Sequence, residues 1–537
     1  MDFSCINLIH GFSHITIGTQ NSGYTEVYVS RTGNDSASCG HQTQPCKSIA
    51  QAVKQVEWSG HIYLDGTGTE RHPYDCDQTI MHSHHSSIQV QKSLRMEGIQ
   101  STPHISCFAG FQFQNVGRKL SIVLSGIVFR QTPLRLVDCD LVQVLNCSFL
   151  EAMGALTVLM KNSSRTHLDI KGFSSFKNNT SCVKVLTVNS QNYSLKVTVS
   201  DTTFQGNRIV GLSIAPLKKK HEVSTVNIYI YNCVFLNNAQ CDVFVHLWDP
   251  AEISFTIRNT IFTTKVAKQK TVGIFFSAHS LNKVKSSVIE LINVTLESRP
   301  SNVFQMTFPG KKSLKIQRTV FKGGICLYKY VPIYNPLFAD VGTGSLTILS
   351  NHDTLNRSGC VEEKINENIH PLWKYDTEVI FEDTTFEGNA GLIAGAVYIS
   401  NGNVTFNRCT FRNNFGTKRS GHVYSAYGTG RVNFKECSFL TTMSNLTVNN
   451  TIFDKSTFLY SESGGPIKFE NTSMALIIGQ RMRSPVLDIS NGGYVDVDNR
   501  STIECSIGSQ VLFENNTHFV YVYNEKNGSS CRMNVTV

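Results

Sequence analysis

In VTFNRCTFRNN, Val404 to Asn414, the apolar positions are Val404, Phe406, Cys409 and Phe411. Val404 and Phe406 lie two apart, as do Cys409 and Phe411, which is the period of a strand with one buried face. Between Phe406 and Cys409 the step is three, so the parity slips at Asn407-Arg408. A single flat strand cannot slip and keep both pairs on its buried side. Two short strands meeting at a polar bend can, and Asn suits that bend because it tolerates a left-handed backbone. VIFEDTTFEGN, Val379 to Asn389, is a near copy about 25 residues earlier.

The same frame recurs along the chain. It fits Ile122, Leu124, Ile127 and Phe129; Val142, Val144, Cys147 and Phe149; Val197, Val199, Thr202 and Phe204; and Ile228, Ile230, Cys233 and Phe235. It fits Phe255, Ile257, Thr260 and Phe262; Leu314, Ile316, Thr319 and Phe321; Val432, Phe434, Cys437 and Phe439; and Ile467, Phe469, Thr472 and Met474. SFKNN at Ser175 to Asn179 and VTLES at Val294 to Ser298 are looser matches. Most spacings fall between about 20 and 35 residues, the size of one solenoid turn. Helical repeats of that length do not fit, because the segments are short, rich in Val, Ile, Phe and Thr, and alternate with period two. Stacking such turns puts like side chains above one another and runs the backbone hydrogen bonds between turns. The expectation is an all-β, parallel β-helix of roughly ten to thirteen coils.

Composition agrees with a packed chain of this kind. Hydrophobic residues make up 41% of the 537 and charged residues 17%, the reverse of a disordered sequence. The net charge of +9 permits an acidic partner without demanding one. Sixteen cysteines, together with Asn-x-Ser/Thr sequons, point to an oxidising, extracellular or cell-surface setting. The candidate glycosylation sites are Asn34, Asn162, Asn178, Asn192, Asn293, Asn356, Asn445 and Asn527. The sequon at Asn146 is generated by the repeat itself. MDFSCINLIHGF makes a poor signal peptide and RMNVTV makes no recognisable end, so the chain reads as a fragment or as an imperfect gene model. No stretch approaches the roughly 20 apolar residues of a membrane helix.

The repeats resemble the right-handed parallel β-helix of the pectate-lyase-like superfamily. FEGNAGLIAGAVYIS is similar to the FxxN and GGA-[ILV] repeats of polymorphic outer-membrane proteins, with Ala394-Gly395-Ala396-Val397 in the second role. Uncharacterised animal extracellular β-helix proteins show the same likeness. YVSRTGNDSASCGHQTQPCKSIAQAVKQV, Tyr28 to Val56, resembles the opening segment of the superfamily: a strand, a polar loop, then a short capping helix. Ser48 is its N-cap and Ile49, Ala52, Val53 and Val56 share one helical face, which would plug the open first coil. A Cys39–Cys46 bridge would pin the loop, and Cys76–Cys107 is a second candidate pair. Cys147, Cys233, Cys409 and Cys437 share one inward repeat position and read as buried thiols. The organisation expected is residues 1–22 as an N-terminal segment that does not mark the natural start, 23–110 as cap and first coils, and 111–537 as β-helix. The longest break in register, at about 322–377, holds Cys326, Cys360 and Trp373 and reads as an irregular coil with a projecting loop. Cys326 and Cys360 are disulfide candidates, and such loops are frequent binding places.

Chemistry is harder to find. Polysaccharide-cleaving β-helix enzymes use clustered carboxylates, either as acid and base or as Ca²⁺ ligands. Asp75 and Asp77, Asp138 and Asp140, and Asp496 and Asp498 are the pairs available, each two residues apart and so facing one side of a strand. All three read better as outward strand positions beside buried neighbours. The hydrolase-type signatures that the resemblance implies, an NTD with a following DD and an RIK, are absent. His82, His84 and His85 in MHSHHSS could approach a zinc ion, but adjacent imidazoles point apart and the stretch reads as a solvated loop. Basic residues cluster between coils: Lys218, Lys219 and Lys220; Lys265, Lys268 and Lys270; Lys283 and Lys285; Lys311 and Lys312. Of these, Lys218, Lys219, Lys220, Lys283, Lys285, Lys311 and Lys312 are the candidate contacts for an acidic glycan. The expected function is a non-catalytic extracellular or cell-surface module for structural display or recognition, with acidic carbohydrate or extracellular proteins as partners. The alternative is a polysaccharide lyase or glycoside hydrolase with a non-standard site. No cofactor, metal or nucleic acid is expected.

Overall fold

The computed structural model describes residues 24–75, 87–162, 165–187, 193–216, 224–239, 241–248, 250–264, 272–279, 284–297, 310–324, 346–348, 377–391, 394–399, 402–417, 419–425, 429–448, 451–462, 465–476, 487–489, 494–498, 500–504, 510–513, 518–521 and 532–535. It is an all-β parallel solenoid. The chain divides into two compact units, Met1–Ile228 with Asn232–Asn238 and Tyr229–Tyr231 with Ala239–Val537.

In the first unit one turn is three short strands, as in Leu134–Val137, Leu141–Leu145 and Ser148–Leu150, and each strand pairs in parallel with its counterpart in the next turn. Register is strict: Val142 lies beside Leu168 and that beside Val197, while Phe149, Phe176, Phe204 and Phe235 follow one another. Parallel strands lie about 4.8 Å apart, which is also a good ring-stacking distance. Identical side chains in register therefore form files. Phe129, Phe149, Phe176, Phe204 and Phe235 stack with centroids 4.6 to 5.0 Å apart, all fully buried. The second unit carries two such files, Phe321–Phe386–Phe411–Phe439 and Phe381–Phe406–Phe434–Phe469. They meet edge to face, with Phe406 and Phe411 at 5.4 Å and 70°.

The parity slip is a corner, and its bend is one residue later than the Asn407 side of the pair: Arg408, at φ 52°, takes the left-handed conformation. The same corner is Asn146, Asp201, Asn232, Asn259, Asn293, Arg318, Asp383, Glu436 and Asn471, with φ between 47° and 54°. Asn293 at the corner and buried Val294 and Leu296 beyond it make VTLES a full repeat. At most corners the residue that follows is Cys or Thr, and both can donate to the carbonyl two residues back; after Asn293 it is Val294. Thr202 reaches Ser200 O at 2.7 Å and Thr384 reaches Glu382 O at 2.9 Å, while Cys147 Sγ lies 3.3 Å from Leu145 O. Cys139, Cys147, Cys182, Cys233, Cys241, Cys409 and Cys437 are buried thiols outside any disulfide.

Where the corner is Arg or Glu, no short polar side chain offsets the left-handed backbone. Asp383 and Arg408 on successive coils compensate with a paired contact of 2.7 and 3.1 Å, and Glu436 on the next coil continues the alternation of charge. Glu436→Val is expected to cost about 1–2 kcal/mol because a β-branched residue is strained in that region. Glu436→Gly should stay within about 1 kcal/mol of the parent. Urea titration of the two variants checks both; equal stability would remove the corner as the reason for the polar residue.

A second polar device is entirely internal. Asn179, Asn207 and Asn238, each three residues after a file Phe, are fully buried and linked in a ladder. Asn207 Nδ2 donates to Phe176 O at 3.1 Å and to Asn238 Oδ1 at 2.7 Å, while its Oδ1 accepts the Asn179 backbone N–H at 2.9 Å. Asn389 and Asn414 repeat the arrangement in the second unit.

At the start of the first unit a helix, Ile49–Gln55, is capped by Ser48, whose Oγ accepts the Gln51 N–H at 3.1 Å. Ile49, Ala52 and Val53 are buried beneath it, whereas Val56 already begins the strand Val56–Leu64. The free edge of the strand Tyr24–Val29 is covered by the loop that the Cys39–Cys46 disulfide closes: Tyr28 N–H donates to Gly40 O and Tyr28 O accepts Cys46 N–H. An edge left open would invite pairing with another chain.

Candidate functional site

The carboxylates that looked like chemistry are mostly occupied by the backbone. Asp138 Oδ1 accepts the N–H groups of Lys161 and Asn162 at 2.6 and 2.9 Å. Asp140 Oδ2 accepts the Leu120 N–H at 2.9 Å. Both therefore tie one coil to another instead of standing as a pair open to solvent. Asp498 accepts from Asn471 N, Ser501 N and Ser501 Oγ at 3.0, 2.9 and 2.7 Å. Burial pushes its pKa up, but the Ser501 and Asn471 hydrogen bonds prevail and hold the carboxyl below its usual range. Asp75 is exposed and Asp496 half-buried. Asp77, His82, His84 and His85 lie outside the described residues, and among the described residues no three His, Cys, Asp or Glu side chains gather as metal ligands.

Of the basic clusters, Lys218, Lys219, Lys220, Lys265, Lys268, Lys270 and Lys283 lie outside the described residues. Lys311 and Lys312 belong to the strand Gly310–Gln317, which pairs with the Lys285-bearing strand Val284–Glu297, Lys312 opposite Ser287. Their side chains are outside the description. So are Cys76, Cys326, Cys360, Trp373 and most of the 322–377 interruption; Cys107 is disulfide-bonded. Asn34, Asn162, Asn178, Asn293 and Asn445 are exposed, while Asn192, Asn356 and Asn527 fall outside.

Two groupings emerge that no local spacing announces. On the outer face of the first coils, Glu26 lies beside His61 and that beside Arg95, while Tyr28, Tyr63 and Glu97 form the adjoining row. Tyr28 and Tyr63 stack at 4.9 Å, His61 lies 3.8 Å from Tyr63, and Tyr63 Oη donates to Glu26 at 3.3 Å. Glu97 Oε2 accepts from Arg95 Nε at 3.1 Å, with Nη2 at 2.8 Å. His61 Nε2 is 3.2 Å away but badly directed for a ring N–H, so Arg95 is the carboxylate's main partner. Burial, then the Arg95 guanidinium, lowers the His61 pKa against the pull of Glu97. The HIYLDG alternation, with Ile62 and Leu64 inward, was the available signal that His61 and Tyr63 face out.

The second grouping is in the other unit. Tyr398, Tyr424 and Tyr460 lie in register on the strands Val397–Ile399, Val423–Ser425 and Leu459–Ser461, with centroids 5.0 and 5.2 Å apart. Tyr424 and Tyr460 each donate to Glu462, at 2.7 and 2.8 Å. Arg419 lies 4.9 Å over the Tyr460 ring and donates to its Oη at 2.7 Å. Burial foremost raises both phenols above their ordinary range, so they serve as neutral donors that fix Glu462. In the second grouping the charged groups are matched to neighbours, an arrangement that holds shape, whereas in the first the buried His61 Nε2 has no hydrogen-bond partner.

No protein family matches the sequence, and no curated protein does. A rhamnogalacturonan lyase structure is similar over 83% of this chain and 87% of its own, at 12% identity and a TM-score of 0.27.

Proposed function

We propose that the chain is a non-catalytic extracellular β-helix module for display and recognition, with acidic carbohydrate as the partner it suits best. The observation that carries this reading is the use of Asp138, Asp140 and Asp498 as acceptors for backbone N–H groups. A carboxylate oxygen so engaged serves the scaffold, tying one coil to the next. The stacked files and the asparagine ladders supply what a display module needs, a stiff core that sets surface groups at fixed intervals. The disulfide-closed loop and the exposed sequon asparagines suit an oxidising compartment.

The test is incubation of the purified chain with polygalacturonate and with heparin, following unsaturated and reducing sugar ends alongside retention on the same polymers. Retention without turnover is the expected result. Turnover that disappears in Asp138→Asn, which keeps an acceptor for Lys161 and Asn162, would overturn the non-catalytic reading in favour of a carbohydrate-active enzyme.

A further inference from the structure

One corner of the first unit gathers three cations and an indole from three successive coils. Gly60 pairs with Leu94 and Leu94 with Ile122, so Trp58, Lys92 and Arg118-Lys119 come at matching places on three successive coils. The turns that carry them are locked together. Ser59 N–H donates to Ser93 O at 3.0 Å, and Ser93 Oγ accepts the Ser121 N–H at 3.0 Å. Asn115 Oδ1 accepts the N–H groups of Gly117 and Arg118 at 2.8 and 2.9 Å, which fixes the base of the arginine. The Arg118 guanidinium lies 5.4 Å from the Trp58 ring centroid, a cation–π contact. Lys92 Nζ donates to Val56 O and is half-buried; Arg118 and Lys119 are exposed.

What marks the corner is the gathering of its cations around an aromatic ring, whereas Arg95 and Arg130 are matched to carboxylates, Glu97 for the first and Glu70 and Glu151 for the second. Among the described residues, no carboxylate pairs with Lys92, Arg118 or Lys119. Asp140, on the following coil, accepts the Leu120 N–H. Three cations from two neighbouring coils beside an aromatic ring fit a ligand that carries repeated negative charge on a partly apolar body. A chain of acidic sugars has that form, each unit with a carboxylate or sulfate and a face of C–H groups.

We propose that Trp58, Lys92, Arg118 and Lys119 form a binding subsite for an acidic polysaccharide, the anionic groups on the three cations and a sugar ring against the indole. The proposal rests on the recognition reading above and gives it named residues. The test measures affinity for soluble heparin and oligogalacturonate, and salt elution from the immobilised polymers, for the wild type, Arg118→Ala/Lys119→Ala and Trp58→Phe. Lys47→Ala/Lys54→Ala, two exposed lysines of the same unit, removes equal charge elsewhere and serves as control. The double corner variant is expected to bind about 5- to 30-fold more weakly, the factor of one to two lost surface contacts, with unchanged circular dichroism. Trp58→Phe should bind more weakly than wild type and lose the emission change that ligand produces. The arm that responds, heparin or oligogalacturonate, identifies sulfate or carboxylate as the group held. If the wild type binds and the corner variant binds equally, or the control weakens binding as much, the subsite is wrong while the recognition reading stands. If the wild type binds neither polymer, both fall.

Discussion

Asn207→Leu is expected to destabilise the first unit by about 3–5 kcal/mol, although leucine is close to asparagine in size and more apolar. The ladder explains the sign. Asn207 is fully buried, and its amide satisfies Phe176 O, Asn238 Oδ1 and the backbone N–H of Asn179 at 3.1, 2.7 and 2.9 Å. Leucine would leave Phe176 O and the Asn179 N–H buried with no side-chain partner there, and an orphaned buried group costs about 1–3 kcal/mol. The gain from burying more hydrocarbon is smaller than that sum. Gln205→Ala, two residues earlier on the outward face, should change stability by less than about 0.5 kcal/mol. Urea unfolding compares the two, and hydrogen exchange at the Asn179 amide reads the local opening directly. A leucine variant as stable as wild type would mean that the ladder contributes register alone and little energy.

The ladder also shows where sequence reading stops. The frame of Val142, Val144, Cys147 and Phe149 is legible because burial on one strand face imposes a period of two, and the single parity slip can only be a corner. The Asn at Phe plus three also recurs, at Asn179, Asn207, Asn238, Asn389 and Asn414. A polar letter at a fixed offset reads as a surface bend, and nothing in its identity says that its amide points inward. The bend itself was assigned to a pair, Asn407-Arg408, because Asn is the familiar left-handed residue; the chain places Arg408 there and offsets the cost with Asp383 one coil away. Surface groupings are harder still. Trp58, Lys92 and Arg118 are 34 and 26 residues apart, and only the register of three coils makes them neighbours. The aspartate pairs show the same limit: spacing by two sets both side chains on one side of a strand, and only the coil register shows Asp138 and Asp140 each serving a different neighbouring coil.

Lowering the pH from 7 to about 4.5 is expected to cost the second unit roughly 2–3 kcal/mol through His422 alone. This imidazole is fully buried, ringed edge-on by Phe411, Phe439 and Phe458. Its tautomer follows from the ladder. Asn414 Nδ2 gives one hydrogen to Phe386 O at 2.9 Å and the other to His422 Nδ1 at 3.1 Å, so Nδ1 must accept and the proton sits on Nε2, 3.1 Å from Thr441 Oγ1. A second proton would set N–H against N–H in a dry interior, and burial holds the pKa at about 3, below the ordinary value of 6.5. The folded state therefore refuses a proton that the unfolded chain takes up. Stability from this group is complete above about pH 6.5 and drains away as pH falls toward 3, at about 1.4 kcal/mol per pH unit. His422→Gln retains an acceptor for Asn414 and a donor for Thr441 and has nothing to titrate. Carboxylate titrations elsewhere are common to both proteins and cancel in the difference. Urea unfolding of the pair at both pH values should show the stability of the wild type relative to the variant falling by that 2–3 kcal/mol on acidification. Parallel pH curves would mean that the imidazole escapes its pocket before it charges, and the second ladder would then end at Asn414.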